Sequence, residues 1–109
     1  MVNNAETLIL EFGQNITITH PSKEDLKSKA FIQPLRSDYQ SPLYMDYAET
    51  EGKEQFLYIG PANIKLNKSP SGAVISTELK DYIIKKVEVV YLSSKPVYER
   101  AVLEEKEEN

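Results

Sequence analysis

The strongest hydrophobic pattern lies in the last third of the chain. The runs 81–92 and 96–103 are both rich in β-branched and aromatic residues, which suit a pleated strand better than a helix. The polar Ser93-Ser94-Lys95 separates them and Pro96 closes the break, so the two runs predict an antiparallel hairpin. Apolar residues fall on both faces of the first run. This indicates either a central strand buried on both sides or a strand that changes face at a bulge.

Shorter strand patterns precede this hairpin. Residues 15–20 alternate strictly and place Ile16 and Ile18 on one face. Residues 30–36 predict a second strand, in which Pro34 indicates an edge, a strand end or a bulge. Residues 55–61 predict a strand that stops at a Gly-Pro breaker, and residues 73–77 predict a short one. From these strands we predict eight core residues: Phe31, Ile32, Leu57, Ile59, Ile84, Val87, Val89 and Val102.

Two segments between the strands have other predicted structures. Residues 22–29 are polar and predict an exposed connection with room for a helical turn. Residues 62–66 are predicted to continue the preceding strand after a kink, before a turn cluster at 67–72.

The N-terminal segment 3–12 predicts a short helix. Asn3 or Asn4 can cap it, Glu6 suits its first turn, and Gly13 suits a left-handed position just beyond its end. A strand over residues 7–10 is the alternative.

Residues 37–54 show no sustained period and predict one long loop. The loop contains Leu43, Tyr44, Met45 and Tyr47, which makes it too apolar for simple disorder. These four residues either pack down over the barrel or become ordered against a partner. They are the candidate partner-binding residues.

The composition limits the classes of protein to which the chain can belong. We predict one domain over residues 1–109, with a helical segment at 3–12, a β-barrel at 14–103 and an acidic tail at 104–109. The chain contains no cysteine, and we expect neither a secretory signal nor a membrane-spanning segment. The formal net charge of −4 argues against a protein that binds nucleic acid by neutralising phosphates.

The sequence offers little catalytic chemistry. His20 is the only histidine, and neither Gly60 nor Gly72 opens a phosphate-binding loop. Glu88 and Glu99 are placed so that they could face each other across the hairpin, but nothing distinguishes them from a chance cross-strand pair. We therefore predict no enzyme activity, no catalytic residue, no metal and no cofactor.

Several stretches, in order, resemble the head–tail joining (adaptor or stopper) proteins of long-tailed bacteriophages and prophages. They are residues 12–19 (FGQNITIT), 29–36 (KAFIQPLR), 57–61 (LYIGP), 82–91 (YIIKKVEVVY) and 96–103 (PVYERAVL). The polar Glu99-Arg100 pair departs from the more aromatic last strand that the resemblance leads us to expect, and so does the acidic tail.

The resemblance implies a mainly β fold: a small antiparallel β-barrel or sandwich with a short N-terminal helix and one long loop. It also implies a structural protein of the virion, made in the bacterial host cytoplasm. Such proteins form a ring between the portal or adaptor ring and the tail-tube or tail-terminator proteins, and help to retain packaged DNA. Expected partners are therefore those rings and other copies of the chain, with no membrane and no sequence-specific nucleic acid.

Two other functions stay open at this point. A small barrel of the OB type binds nucleic acid through aromatic residues on its strands, but needs a basic groove around them. A non-catalytic module that binds a peptide or ligand is the other alternative.

Overall fold

The computed structural model describes residues 4–35 and 54–106, which form an N-terminal helix and a closed antiparallel β-barrel. The elements are α1 (Asn4–Phe12), β1 (Gln14–His20), β2 (Lys23–Pro34), β3 (Gln55–Pro61), β4 (Val74–Ser76), β5 (Asp81–Leu92) and β6 (Lys95–Glu105). The strand order is β1-β2-β3-β6-β5-β4, and β4 closes the barrel on β1. The mainly β class and the N-terminal helix are thus confirmed. No helix in this described part is long and apolar enough to cross a membrane.

The hairpin of β5 and β6 is the longest pairing of the barrel, as predicted. Its turn is Ser93-Ser94, with Ser93 in the left-handed region at φ 58°. A register shift between Ile84 and Lys86 makes Lys85 an extra residue in β5. Because of this bulge, Ile84 and Val87 both pack against the core although they are three residues apart. The interpretation of β5 as a strand with a bulge is therefore correct.

The structure of the first hairpin, β1 with β2, shows that the prediction for residues 22–29 was wrong. This polar segment is not a connection but the first part of β2, which pairs with β1 from Lys23 to Ala30. Residues 23–27 are exposed, so their polarity reflects a strand end that is solvated on both faces. Pro34 is the last residue of β2, where its missing N–H costs no interior ladder bond.

The core fills the inside of the barrel. Its buried members are Ile16, Ile18, Ala30, Phe56, Tyr58, Leu66, Ala73, Ile75, Tyr82, Ala101 and Leu103. The rings of Phe56 and Tyr82 meet edge to face at 5.1 Å, a favourable geometry for an aromatic pair.

The predicted core needs correction because the buried face of β3 is the reverse of the one predicted, and because Phe31 of β2 is not in the core. Phe56 and Tyr58 point inward, so Leu57 and Ile59 lie on the outward face and are half-buried. Phe31, which pairs with Ile59, is 36% exposed. Val102 is fully buried, whereas Val89 is half-buried; Ile32, Ile84 and Val87 are partly buried against the core.

Helix α1 explains why outward residues are covered. It packs against β2, β3 and β6, and its one buried residue is Ile9. Val102 pairs with Leu57 and alternates with the core residues Ala101 and Leu103, so it lies on the outward face where α1 packs. The fold thus has a second, smaller apolar layer outside the barrel.

Gly13, at the end of α1, is needed for a different reason from the one predicted. The φ angle of Gly13 is not in the left-handed region. Among the described glycines, Gly72 is the one with a positive φ. A β-carbon at Gly13 would lie 2.5 Å from the Ile9 carbonyl oxygen and 3.0 Å from the Ala30 nitrogen. Glycine is required here because a side chain would collide with the last turn of α1 and with β2.

The segment after β3 does not continue the strand, contrary to the prediction. It forms two short 3₁₀ turns, Ala62–Ile64 and Leu66–Lys68, joined at Lys65 with φ 55°. This arrangement buries Leu66 in the core. At the other end of the chain, β6 runs to Glu105, two residues into the segment predicted as an acidic tail, and Glu104 is buried.

The antiparallel pairings define two ends of the barrel. At one end β1, β3 and β5 finish, so it carries both hairpin turns and the 3₁₀ turns; we call it the hairpin end. At the opposite end β5 begins after the turn 77–80, and β6 finishes.

Candidate interaction surfaces

The four predicted partner-binding residues, Leu43, Tyr44, Met45 and Tyr47, lie outside the residues that the structure describes. The sites below therefore come from the barrel and the helix.

A carboxyl group lies inside the barrel near the hairpin end. Glu99 is 0% exposed because it shares the inward face of β6 with Ala101 and Leu103. Its Oε1 accepts a hydrogen bond from the Leu66 N–H at 2.9 Å, so it anchors the 3₁₀ turn that covers this end. Its Oε2 is buried and has no partner among the described residues.

Glu88 does not face Glu99, which corrects the predicted cross-strand pair. Glu99 is opposite Val89, whereas Glu88 is opposite Arg100 on the outward face and forms an ion pair with it. The two carboxylates therefore point to different sides of the sheet and do not form a paired acid–base site.

Tyr58 and Gly60 are packed beside Glu99. Gly60 is the cross-strand partner of Glu99, and a β-carbon on Gly60 would overlap the Tyr58 ring and hydroxyl. The hydroxyl is buried without a hydrogen-bond partner in the described part of the chain. Burial, and secondarily the charge of Glu99, raise the pKa of Tyr58, so it stays protonated in any ordinary buffer.

The electrostatics of Glu99 favour its neutral form. Burial raises the pKa of Glu99 from 4.5, and the backbone amides of Leu66 and Asn67 oppose this rise without cancelling it. Within residues 4–35 and 54–106 there is no group of three metal-ligating side chains. The arrangement fits a buried anchor for the 3₁₀ turns, a feature that the sequence pattern did not single out.

His20 also joins two segments at the hairpin end. Its Nδ1 accepts a hydrogen bond from the Ser22 N–H at 3.1 Å, and its Nε2 lies 3.1 Å from the Ser71 carbonyl oxygen. With the proton on Nε2 the ring donates to Ser71 and accepts from Ser22, which is a structural role.

Large apolar side chains are exposed at both ends of the barrel. Tyr91 and Leu92, at the hairpin end, are 60% and 74% exposed. Leu79, in the turn at the opposite end, is 91% exposed. Single exposed apolar residues are common on protein surfaces, so the informative feature is their location at the two ends of strand β5.

Helix α1 presents a further apolar surface. Leu8 and Phe12 are one helical turn apart and both are more than half exposed. Both lie beside Ile9, the buried residue of the helix, which packs on the barrel.

The described residues define a small, closed, antiparallel β-barrel protein with a helix on its outer surface. No family model, no curated protein and no solved structure matches the chain. The functional argument therefore rests on the barrel, its buried carboxyl group and its exposed apolar ends.

Proposed function

We propose that this protein is a structural subunit of a tailed phage or prophage virion. It forms a ring at the head–tail interface, joins the head to the tail and helps to retain packaged DNA. In this role it contacts a portal or adaptor ring on one side and a tail-tube or tail-terminator protein on the other, and it catalyses no reaction.

The observation that supports this function best is the exposure of large apolar groups at opposite ends of the barrel. Leu79 lies before β5 begins, and Leu92 is the last residue of β5. A twelve-residue strand is about 40 Å long, so the two groups are far apart. A subunit held between two different rings needs separate contact surfaces at its two ends, and exposed apolar groups at both ends of this barrel support that role.

The charge of the chain is also compatible with this role. At a formal net charge of −4, a ring of these subunits repels the phosphates of passing or retained DNA and does not capture them.

The test begins with the genes on either side of the coding sequence, which should include those for portal, capsid and tail proteins. In an inducible prophage, deletion of this gene should give filled heads and complete tails that fail to join, as seen by electron microscopy. Normal virions after deletion, or the absence of neighbouring virion genes, would exclude the proposed function.

Variants then test the candidate contacts. The double variant Tyr44→Ser/Tyr47→Ser should leave the fold intact and abolish joining, since it removes apolar groups assigned to a partner. Gln40→Ser/Thr50→Ser, in the same predicted loop, is the matched control and should join heads to tails normally. Loss of the fold in the tyrosine variant would instead identify Tyr44 and Tyr47 as core residues.

A further inference from the structure

We propose that the barrel holds one buried water molecule that bridges the Tyr58 hydroxyl and Oε2 of Glu99, and that this water fixes the Glu99 carboxyl group beneath the 3₁₀ turns. The site goes beyond the proposed function of the protein, and its test needs only purified protein. Failure of the water site would leave the virion role untouched.

Tyr58 and Glu99 lie beside each other on the inner wall of the barrel. Gly60 is directly opposite Glu99 in the pairing of β3 with β6. The Tyr58 side chain extends along β3 over Gly60, because a β-carbon on Gly60 would lie 2.2 Å from the Tyr58 hydroxyl. The hydroxyl on one strand is therefore next to the carboxyl group on the neighbouring strand. Burial is the main cause of the raised pKa of Tyr58 and the charge of Glu99 is the second, which agrees with this closeness.

Both groups are buried with hydrogen-bonding capacity that the described residues do not use. Tyr58 and Glu99 are each 0% exposed. Oε1 of Glu99 accepts the Leu66 N–H at 2.9 Å, but Oε2 and the Tyr58 hydroxyl have no partner in the described part of the chain. Buried hydroxyl and carboxyl groups are nearly always hydrogen-bonded in native proteins, either to protein groups or to ordered water. Two such groups in adjacent positions therefore indicate a partner that they share.

Water is the partner that the geometry favours. The Tyr58 hydroxyl and Oε2 of Glu99 form no direct hydrogen bond, so they are too far apart or too poorly aligned for one. One water can lie about 2.8 Å from each oxygen atom and so bridges a gap that a direct hydrogen bond cannot. A bridging water of this kind is nearly as favourable in enthalpy as a direct bond.

Water also suits Glu99 better than a cation does. Burial raises the pKa of Glu99, which favours the neutral carboxyl group. A water can accept a hydrogen bond from the neutral group and can donate one to the ionised group, whereas a cation binds the ionised group alone. Residues 4–35 and 54–106 also contain no group of three side chains that could ligate a metal ion. The site is therefore one for a small, neutral, hydrogen-bonding molecule.

The bridging water gives the Glu99 carboxyl group a second fixed point. Oε1 is held by the Leu66 N–H and Oε2 is held through the water by Tyr58, so the orientation of the group is set from both sides. The carboxyl group in turn anchors the 3₁₀ turn that buries Leu66 in the core. Loss of the Tyr58 hydroxyl should therefore loosen the Leu66 N–H, although the hydroxyl makes no hydrogen bond with it.

The variant Tyr58→Phe, which removes only the hydroxyl, tests the site by two measurements. Magnetic relaxation dispersion of the solvent counts the long-lived water molecules inside the folded protein, and this count should fall by one in the variant. The Leu66 amide should exchange with deuterated solvent faster by roughly two- to tenfold relative to the Leu103 amide of the same protein, which corresponds to the loss of one hydrogen bond. An unchanged water count, or unchanged relative exchange of Leu66, would overturn the proposal.

Tyr82→Phe is the matched control, because Tyr82 is also buried but lies at the opposite end of the barrel. It should change neither the water count nor the exchange of Leu66. An equal fall in the count in both variants would place the water elsewhere and overturn the site. A crystal structure of the wild-type protein gives a result that depends on no variant. We expect one ordered water within about 3.2 Å of both oxygen atoms, and a direct hydrogen bond between Tyr58 and Glu99, or no water between them, would overturn the proposal.

Discussion

At the scale of single residues, Glu99 is the most unusual position in the barrel. A fully buried carboxyl group with one unpaired oxygen is costly when it is ionised, and its useful contact is the hydrogen bond from Leu66. The residue therefore holds the 3₁₀ turns in place at the expense of stability at neutral pH.

Glu99→Gln should stabilise the protein at neutral pH, because the amide oxygen can still accept the Leu66 hydrogen bond. The folded pKa of Glu99 is raised above 4.5, so between that value and the folded pKa the folded state binds more protons than the unfolded state. Wild-type stability should fall as pH rises through this window, and the variant should lack this fall. Urea unfolding from about pH 4 to about pH 8 should show a gain of about 1–3 kcal/mol at the upper end.

Glu88→Gln is the control for this measurement. Glu88 is exposed and paired with Arg100, and a surface ion pair contributes about 0–1 kcal/mol. If Glu99→Gln and the wild type had the same pH dependence, Glu99 would not be the titrating group.

Gly60→Ala should destabilise the barrel, because the new methyl group would overlap the Tyr58 side chain. We expect a loss of about 1–3 kcal/mol in the free energy of unfolding. Tyr58→Leu in the same chain should recover part of it, and a double-mutant cycle measures that coupling. Additive effects of the two changes would contradict the close packing of Tyr58 over Gly60.

At the scale of elements, the hydrophobic pattern predicted most of the strands, the helix and the buried face of β1, but not the buried face of β3. In β3, Phe56 and Tyr58 alternate with Leu57 and Ile59, so either set could fill the barrel. The choice depends on α1, which covers the outward face and makes both faces apolar. Periodicity alone does not contain that information.

The prediction of a connection over residues 22–29 was wrong for the opposite reason. The first part of β2, residues 23–27, is solvated on both faces, so it shows no apolar alternation. The same limit applied to Glu99, because a charged residue in an apolar strand pattern is normally assigned to the solvent side. The four loop residues proposed as contacts rest on the sequence alone.

The β5–β6 hairpin should tolerate truncation at its exposed tip much better than at its buried face. The variants Leu92→Ala and Leu103→Ala compare these two positions. Leu103 is fully buried in the core, so its truncation should cost about 2–5 kcal/mol. Leu92 is 74% exposed, and its truncation should change the free energy of unfolding by about 0.5 kcal/mol or less. Chemical denaturation of both variants measures these costs, and similar costs would contradict the assignment of faces in the hairpin.

At the scale of the whole molecule, the net charge sets an expectation for nucleic acid. At −4 the protein should bind short duplex or single-stranded DNA with a Kd weaker than about 100 μM at physiological salt. Fluorescence anisotropy at two salt concentrations measures this. Micromolar binding that weakens steeply with salt would instead favour the nucleic-acid-binding barrel over the virion subunit.

The shortness of β4 has a consequence for how the barrel opens. Three residue pairs join β4 to β1 and three join it to β5, whereas ten join β5 to β6. Release of β4 would turn the closed barrel into a curved sheet with two free edges and would expose Ile75 to water. The long hairpins would stay intact. The amides of residues 74–76 should therefore exchange with deuterated solvent well before those of β3 and β6. Strand β4 is therefore the place where we expect the barrel to open first when it unfolds locally.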